Sequence, residues 1–237
     1  AIRKPAPAWA GKAVLNDAIV DLSSDSLKGK WVVLFFYPLD FTFVCPTEIV
    51  EFNNKYAEFK ALGAEVIGIS VDSPHAHLAW TRTAKEDGGV GKLDFPLLSD
   101  LSKEISRKFN VLVDNAEDEH YGVTMRGTFI IDPQGIIRTF SINDEPIGRS
   151  IDETFRQLES AQFAAENKGK GCPANWKKGA DTITANRKDS LDFFKSWSKY
   201  ILHVMGGILT RVYNPCLLNI YTYIYIFICI YILYIFL

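Results

Sequence analysis

Apolar residues change their period along this chain, and each change marks the passage from one element to another. Trp31-Val-Val-Leu-Phe-Phe-Tyr37 is an unbroken apolar run, which predicts a strand buried on both faces. From Ile49 the spacing turns helical, with Phe52, Tyr56, Phe59 and Leu62 recurring at three- and four-residue intervals along one core face. Ala64-Glu-Val-Ile-Gly-Ile-Ser-Val71 reads as a second buried strand. Ser73-Pro74 then predicts a helix start, because serine caps free N–H groups and proline brings none to be left unpaired. Leu93-Asp-Phe-Pro-Leu-Leu98 reads as a short irregular strand, and Leu101, Ile105 and Phe109 mark a helix by their four-residue spacing. Thr128-Phe-Ile-Ile-Asp132 and Ile136-Ile-Arg-Thr-Phe140 form an expected hairpin turned through Asp132-Pro-Gln-Gly135. A last core helix is expected from the capping box Ser150-Ile-Asp-Glu153, burying Phe155, Leu158 and Phe163. Strand and helix alternate and then give way to a hairpin and a helix, which defines an α/β sandwich with a central mixed sheet flanked by helices.

Chemistry concentrates where the first buried strand hands over to its helix, in Pro38-Leu-Asp-Phe-Thr42-Phe-Val-Cys45-Pro46-Thr47-Glu48. Pro46 suits the first helical position, so Cys45 is expected at the positive end of a helix dipole, which favours the nucleophilic thiolate. Thr42 stands three residues earlier; in a helical turn its hydroxyl would share a face with the sulfur and hold a polar substrate against it. A lone cysteine among apolar residues is by itself more often a small buried hydrophobe.

The whole string decides between these readings. Pro38, Thr42 and Cys45 resemble the Pro-x-x-x-Thr-x-x-Cys signature of the peroxiredoxins, and Phe41-Thr-Phe-Val-Cys-Pro-Thr-Glu48 resembles its form in the typical two-cysteine subfamily. Gly171-Cys172-Pro-Ala-Asn-Trp176-Lys is similar to the surroundings of that subfamily's resolving cysteine, and Met125-Arg126-Gly127-Thr-Phe-Ile-Ile-Asp132 to the segment with its active-site arginine. The resemblance covers roughly residues 1 to 195. It implies a thioredoxin-like fold, which the element order also fits. It further implies a peroxidase without cofactor or metal, in which Cys45 attacks hydrogen peroxide or an organic hydroperoxide and becomes a sulfenic acid. Cys172 of the partner subunit would trap that acid as a disulfide, in a homodimer commonly assembled into a ring of dimers, and a thioredoxin-type donor would reduce it. Arg126 would hold Cys45 as thiolate and polarise the O–O bond, Glu48 and Arg149 would orient the arginine, and Pro38 would shape and shield the pocket.

The resemblance has departures. Gly171 replaces a usual valine and Lys178 a usual proline near the resolving thiol. Gly88-Gly-Val-Gly91 resembles the Gly-Gly-Leu-Gly motif of members sensitive to over-oxidation, with Val90 for leucine; without that resemblance it reads as a flexible loop. Leu191-Asp-Phe193-Phe194 resembles the C-terminal helix that clamps the folded site in those members, with Phe193 in place of tyrosine. A redox-regulated holdase chaperone or signalling relay on the same scaffold is one alternative, and a membrane-anchored redox protein, resting on the C-terminal segment, is another.

Composition narrows the remaining choices. A formal charge of −2, from 26 basic and 28 acidic residues interspersed, offers no face for nucleic acid. The four cysteines, Cys45, Cys172, Cys216 and Cys229, include no C-x-x-C pair and no Cys/His cluster, so neither a thioredoxin-type dithiol nor a zinc site is expected. His75 and His77 are read as solvated surface histidines pointing to different faces. The start of the chain lacks the apolar stretch of a secretory signal, and no Asn-x-Ser/Thr site occurs, which favours the cytoplasm. Residues 1–165 are read as the peroxidase domain and 166–200 as an arm carrying Cys172. Residues 201–237 are an atypical hydrophobic tail dominated by Ile, Tyr, Phe and Leu. The tail is long enough to span a bilayer, yet its β-branched and aromatic alternation favours a strand, so translated non-coding or alternatively spliced sequence is preferred to a membrane anchor.

Overall fold

The computed structural model describes residues 1–198, which belong to two compact units: one formed by residues 1–167 with 176–179, the other by residues 168–175 and those from 180 onward. The hydrophobic tail and the membrane-anchor reading that rests on it lie outside the described residues. Among the described residues no helix is long and apolar enough to cross a membrane.

The first unit is built on a seven-stranded mixed sheet. Its strands are β1 (Ala10–Leu15), β2 (Ala18–Ser23), β3 (Trp31–Phe36), β4 (Ala64–Ser70), β5 (Leu97–Ser99), β6 (Arg126–Ile131) and β7 (Ile137–Asn143), in the spatial order β2-β1-β5-β4-β3-β6-β7. Strands β3, β4 and β5 run parallel, joined by α1 (Cys45–Asn54) with α2 (Tyr56–Ala61) and by α3 (Pro74–Arg82). Strands β1 and β6 are antiparallel to their neighbours β5 and β3. Helices α4 (Glu104–Lys108) and α5 (Ile151–Glu166) complete the unit.

The apolar run of β3 is explained by its two faces. Val33 and Phe35 pack into one core with Ile49, Phe52, Phe59 and Leu158, while Leu34 and Phe36 enter the other with Ile67, Ile69, Phe109 and Phe129. Each side chain is thus removed from water, worth roughly 1.5–3 kcal/mol per residue of this size. Phe35 stacks on Phe52 with ring centroids 4.3 Å apart. The packing leaves no space over Gly68 of β4, where a Cβ would sit 2.8 Å from both the Phe35 ring and the Leu97 side chain. The sheet-and-helix sandwich is the thioredoxin-like arrangement expected from the sequence.

Several elements differ from expectation. The helix along Phe52 to Leu62 is interrupted at Lys55, which ends α1 and begins α2. The core face survives the break, because Phe52 and Phe59 are both fully buried. Asn53 and Asn54, poor helix formers, precede it, and the Asn53 amide oxygen instead accepts the Asp94 N–H at 2.7 Å. Helix α4 keeps Ile105 and Phe109 in or beside it but excludes Leu101, which is 65% exposed. It starts later because the buried Asp100 carboxylate caps it, accepting from the N–H groups of Ile105 and Ser106. Leu93 and Phe95 are buried without being strand, and β5 begins only after Pro96, which has no N–H for a ladder. Ser150 caps α5 by accepting from Glu153 N–H, but the Glu153 carboxylate pairs with Arg156 and does not complete a capping box. Leu158 is fully buried, Phe155 and Phe163 only partly.

His75 is exposed as expected, whereas His77 is fully buried, a correction to the surface reading. Its position three residues before Trp80, another fully buried residue of α3, puts it on the core face, and Asp40 supplies the partner that makes burial tolerable. The Gly88–Gly91 segment is tied down where a flexible loop was the plain reading. Trp80 Nε1 donates to the Gly88 carbonyl at 2.9 Å, and Val90 is fully buried. A Cβ on Gly89 would collide with the Thr83 carbonyl oxygen.

In the second unit, β8 (Lys170–Gly171) pairs with β9 (Ile183–Thr184), and Cys172 follows β8 directly, half-buried. Residues 187–198 are helical and expose Leu191, Phe194 and Trp197.

Candidate active site

Strand β3 ends at Phe36, and the buried Tyr37 and Pro38 carry the chain off the sheet. Cys45 is the first residue of α1, with Val44 at the cap, so Pro46 is the second helical residue and not the first. Both positions lack an N–H partner within the helix, and the thiol sits at the helix start as expected. Cys45 is fully buried.

The connecting loop is held at Asp40. Its N–H donates to Asp72 Oδ2 at 2.9 Å, and its carboxylate accepts the Tyr37 hydroxyl at 2.8 Å and lies 2.8 Å from His77 Nδ1. Burial pushes the Asp40 carboxyl up, with His77 pulling the other way. Burial, reinforced by Asp40, drives the Tyr37 phenol well above its usual range. Phe41, next in the chain, has a positive φ of 56° that a non-glycine residue adopts only when its surroundings impose it. Thr42 lies in this loop and not in a helical turn with Cys45, a correction to the expected geometry. Its hydroxyl donates to the Leu39 carbonyl at 2.9 Å and keeps its lone pairs to accept.

Arg126 is the first residue of β6. Thr128, two residues on, pairs with Phe35, so Arg126 lies beside the end of β3 where the chain turns towards Cys45. The side chain is buried, not the surface charge that an arginine at a strand start commonly is. Its Nη1 donates to Cys45 Sγ at 3.3 Å and to Glu48 Oε2 at 2.8 Å, and Nε donates to the Glu145 carbonyl. Burial opposes its charge, but Cys45 and Glu48 outweigh it and hold the guanidinium above the ordinary arginine range.

Glu48 stands three residues after Cys45, on the same side of α1. Burial alone would raise its carboxyl, yet Arg149 and then Arg126 hold it below the usual carboxylate range. Arg149 approaches Glu48 through its backbone N–H at 2.8 Å, Nε at 2.9 Å and Nη2 at 3.1 Å. The same guanidinium donates to the carbonyls of Phe36 and Gly127 at 2.6 and 3.0 Å, and lies over the Phe35 ring. The structure therefore brings Pro38, Thr42, Cys45, Glu48, Arg126 and Arg149 to the end of β3. Cys172 belongs to the other compact unit.

Two groups of residues were not read as site residues from the sequence. Tyr37, Asp40 and His77 look like isolated polar residues until the fold brings α3 against the segment that follows β3. Glu145, whose carboxylate lies 3.5 Å from Arg126 Nη2, sits in a turn whose sequence carries no signal beyond acidity. No cluster of three or more metal-ligating side chains occurs among the described residues.

A thiol at a helix start, beside a guanidinium that a buried carboxylate fixes in place, is arranged for two-electron thiol chemistry on a small polar oxidant. Comparison with known proteins agrees. Residues 2–140 match the AhpC/TSA family, and residues 160–195 match the C-terminal domain of 1-Cys peroxiredoxin. Peroxiredoxin-2 of Rattus norvegicus is 48% identical over 193 residues, 81% of this chain and 94% of the relative. The mitochondrial thioredoxin-dependent peroxide reductase of Pongo abelii is 48% identical over 195 residues, 82% of this chain and 74% of the relative. The reduced 2-Cys peroxiredoxin of Plasmodium vivax superposes with a TM-score of 0.77 at 37% identity, covering 82% of this chain and 98% of that one. The chain belongs to the AhpC/TSA family. It is a peroxiredoxin, a peroxidase that works through a thiol.

Proposed function

We propose that Cys45 is the attacking thiol, that Cys172 of a partner subunit resolves it, and that a thioredoxin-type dithiol returns both to the reduced state. The observation that carries the first part is the 3.3 Å approach of Arg126 Nη1 to Cys45 Sγ, with Glu48 holding the guanidinium. The thiolate sulfur attacks the terminal oxygen of a hydroperoxide, so that an S–O bond forms as the O–O bond breaks. Cysteine loses two electrons and becomes a sulfenic acid; the departing oxygen takes the pair and a proton from solvent, leaving as water or an alcohol. Arg126 stabilises charge on both sides of the breaking bond, and Thr42 accepts from the peroxide O–H. The Cys172 thiol then displaces water from the sulfenic sulfur to give a disulfide, which a dithiol reduces by exchange.

The surface supports assembly of more than one copy. Strand β7 is an outer strand of the sheet and exposes Phe140 and Ile142, 44% and 37% accessible, features suited to pairing with the same strand of a second copy. Phe43, 92% exposed in the loop before Cys45, and Phe41, 53% exposed, offer a second apolar contact consistent with a ring of dimers. A free thiol pair that must cycle suits a reducing compartment such as the cytoplasm. Within this reading residues 1–165 act as the catalytic domain and 166–200 as the arm that delivers Cys172.

Disulfide mapping after one equivalent of hydrogen peroxide tests the proposal. A Cys45–Cys172 peptide that also joins isotopically distinct subunits supports it. Cys45 still reduced while peroxide is consumed overturns it.

A further inference from the structure

We propose that Glu145 is a specificity-determining residue that makes the Cys45 site discriminate against anionic peroxides. The inference rests on Cys45 as the attacking thiol and concerns which hydroperoxides reach it.

The argument begins with how the Arg126 donors are used. Nη1 serves the Cys45 sulfur and Glu48, and Nε serves the Glu145 carbonyl. Nη2 is buried and makes no hydrogen bond with the protein; its charged neighbour is Glu145 Oε1 at 3.5 Å. One residue thus faces two sides of the guanidinium, through its backbone on one and its carboxylate on the other. The turn that presents it is fixed: Asp144 Oδ1 accepts the Glu145 N–H at 2.8 Å, the Asp144 carbonyl accepts from Ile147 N–H, and Asn143 Nδ2 donates to the Ile147 carbonyl.

Burial separates the two carboxylates at this arginine. The Glu48 side chain is 2% exposed and shared between two guanidiniums, so it orients Arg126 from within the protein. The Glu145 side chain is 31% exposed, so its charge sits where the site meets solvent. With Cys45 as the thiolate, Arg126 and Arg149 face three anions: Cys45, Glu48 and Glu145. An uncharged hydroperoxide gains the free Nη2 donor without repulsion. A hydroperoxide that carries a carboxylate brings its charge to Arg126 beside the partly exposed Glu145 carboxylate, and like charges this close to a poorly hydrated site oppose entry.

The test compares the full-length parent with Glu145→Gln, which keeps the backbone carbonyl and side-chain length but removes the charge. The substrates are a short organic hydroperoxide bearing a carboxylate and its methyl ester, which differ only in charge. Rapid quenching and mass spectrometry of the Cys45 peptide give the two oxidation rates at pH 7.4 and low salt. The parent should favour the ester, and the ester-to-anion rate ratio should fall about fivefold in Glu145→Gln, the scale expected for one partly screened charge pair. Glu145→Asp should restore part of the ratio, and added salt should reduce it in the parent more than in Glu145→Gln. An unchanged ratio in Glu145→Gln overturns the inference while leaving Cys45 as the attacking thiol. Absence of Cys45 oxidation in the parent by either compound and by hydrogen peroxide overturns that assignment and this inference together.

Discussion

Arg149 grips Glu48 through its backbone N–H, Nε and Nη2, and the same carboxylate receives Arg126, the arginine beside Cys45. One buried carboxylate thereby fixes the guanidinium beside Cys45 and ties the turn before α5 to α1. Its charge also enters folding stability. The Glu48 carboxyl is lower in the folded protein than its ordinary value of 4.5, so its contribution is present above that value and is lost as pH falls through the folded pKa. Glu48→Gln should cost about 3 kcal/mol at pH 7, because two buried guanidiniums lose their shared counter-ion. It should also weaken the decline in stability below pH 4.5. Urea midpoints of both proteins at pH 7 and pH 4 check this; parallel losses in parent and variant would remove Glu48 as the source.

Arg126→Met removes the donor to the sulfur while keeping an unbranched side chain. Alkylation of Cys45 by iodoacetamide and its oxidation by hydrogen peroxide should both slow at pH 7, the oxidation by about 10²-fold, the usual loss for one preorganised donor at developing charge. The oxidation should suffer more, since in the proposed mechanism Arg126 acts on the breaking O–O bond as well as on the thiolate. Equal losses would confine its role to the thiolate.

Gly68→Ala tests the packing that places β3. Its methyl would meet the Phe35 ring and Leu97 at 2.8 Å, both in the core that supports α1. Destabilisation of about 1–3 kcal/mol is expected from overpacking, measured as the shift in urea midpoint. A shift below 0.5 kcal/mol, within ordinary surface-mutation scatter of about that size, would mean that the Phe35 and Leu97 side chains yield.

The central strands, the hairpin and the position of Cys45 were legible because they rest on local signals: continuous apolar runs, a Pro-Gln-Gly turn and a helix start beside a proline. The β1–β2 hairpin had a signal too, since Asn16 and Asp17 both take positive φ between paired strands, the geometry of a two-residue turn. That signal is faint in the sequence because the strands beside the turn are only partly buried and alternate weakly. Arg126, Glu48 and Arg149 are recognised through resemblance alone, as nothing in their own spacing announces that two arginines 78 and 101 positions from Glu48 share its carboxylate. The Tyr37, Asp40 and His77 cluster shows the opposite failing. Polar residues usually belong to water, and only the approach of α3 to the segment after β3 turns these into a buried network.

Some sensitivity to excess peroxide is expected from the segments that resemble the clamp of sensitive peroxiredoxins. Phe193 keeps aromatic packing but lacks a hydroxyl, the loss of one hydrogen bond worth about 0.5–1.5 kcal/mol. Over-oxidation should therefore be intermediate, increased by Phe193→Tyr and nearly abolished by truncation before Leu191. Mass spectrometry of the Cys45 peptide during turnover at rising peroxide reads the sulfinic acid directly; the same yield in all three proteins would contradict the clamp.

Trapping the intermediate tests the central claim most directly. Cys172→Ser, treated with one equivalent of hydrogen peroxide in the presence of dimedone, should carry one dimedone adduct, on Cys45, and Cys45→Ser treated alike should carry none. Peroxide consumed by Cys172→Ser with Cys45 unmodified, or an adduct on another cysteine in Cys45→Ser formed at the same rate, would contradict the account.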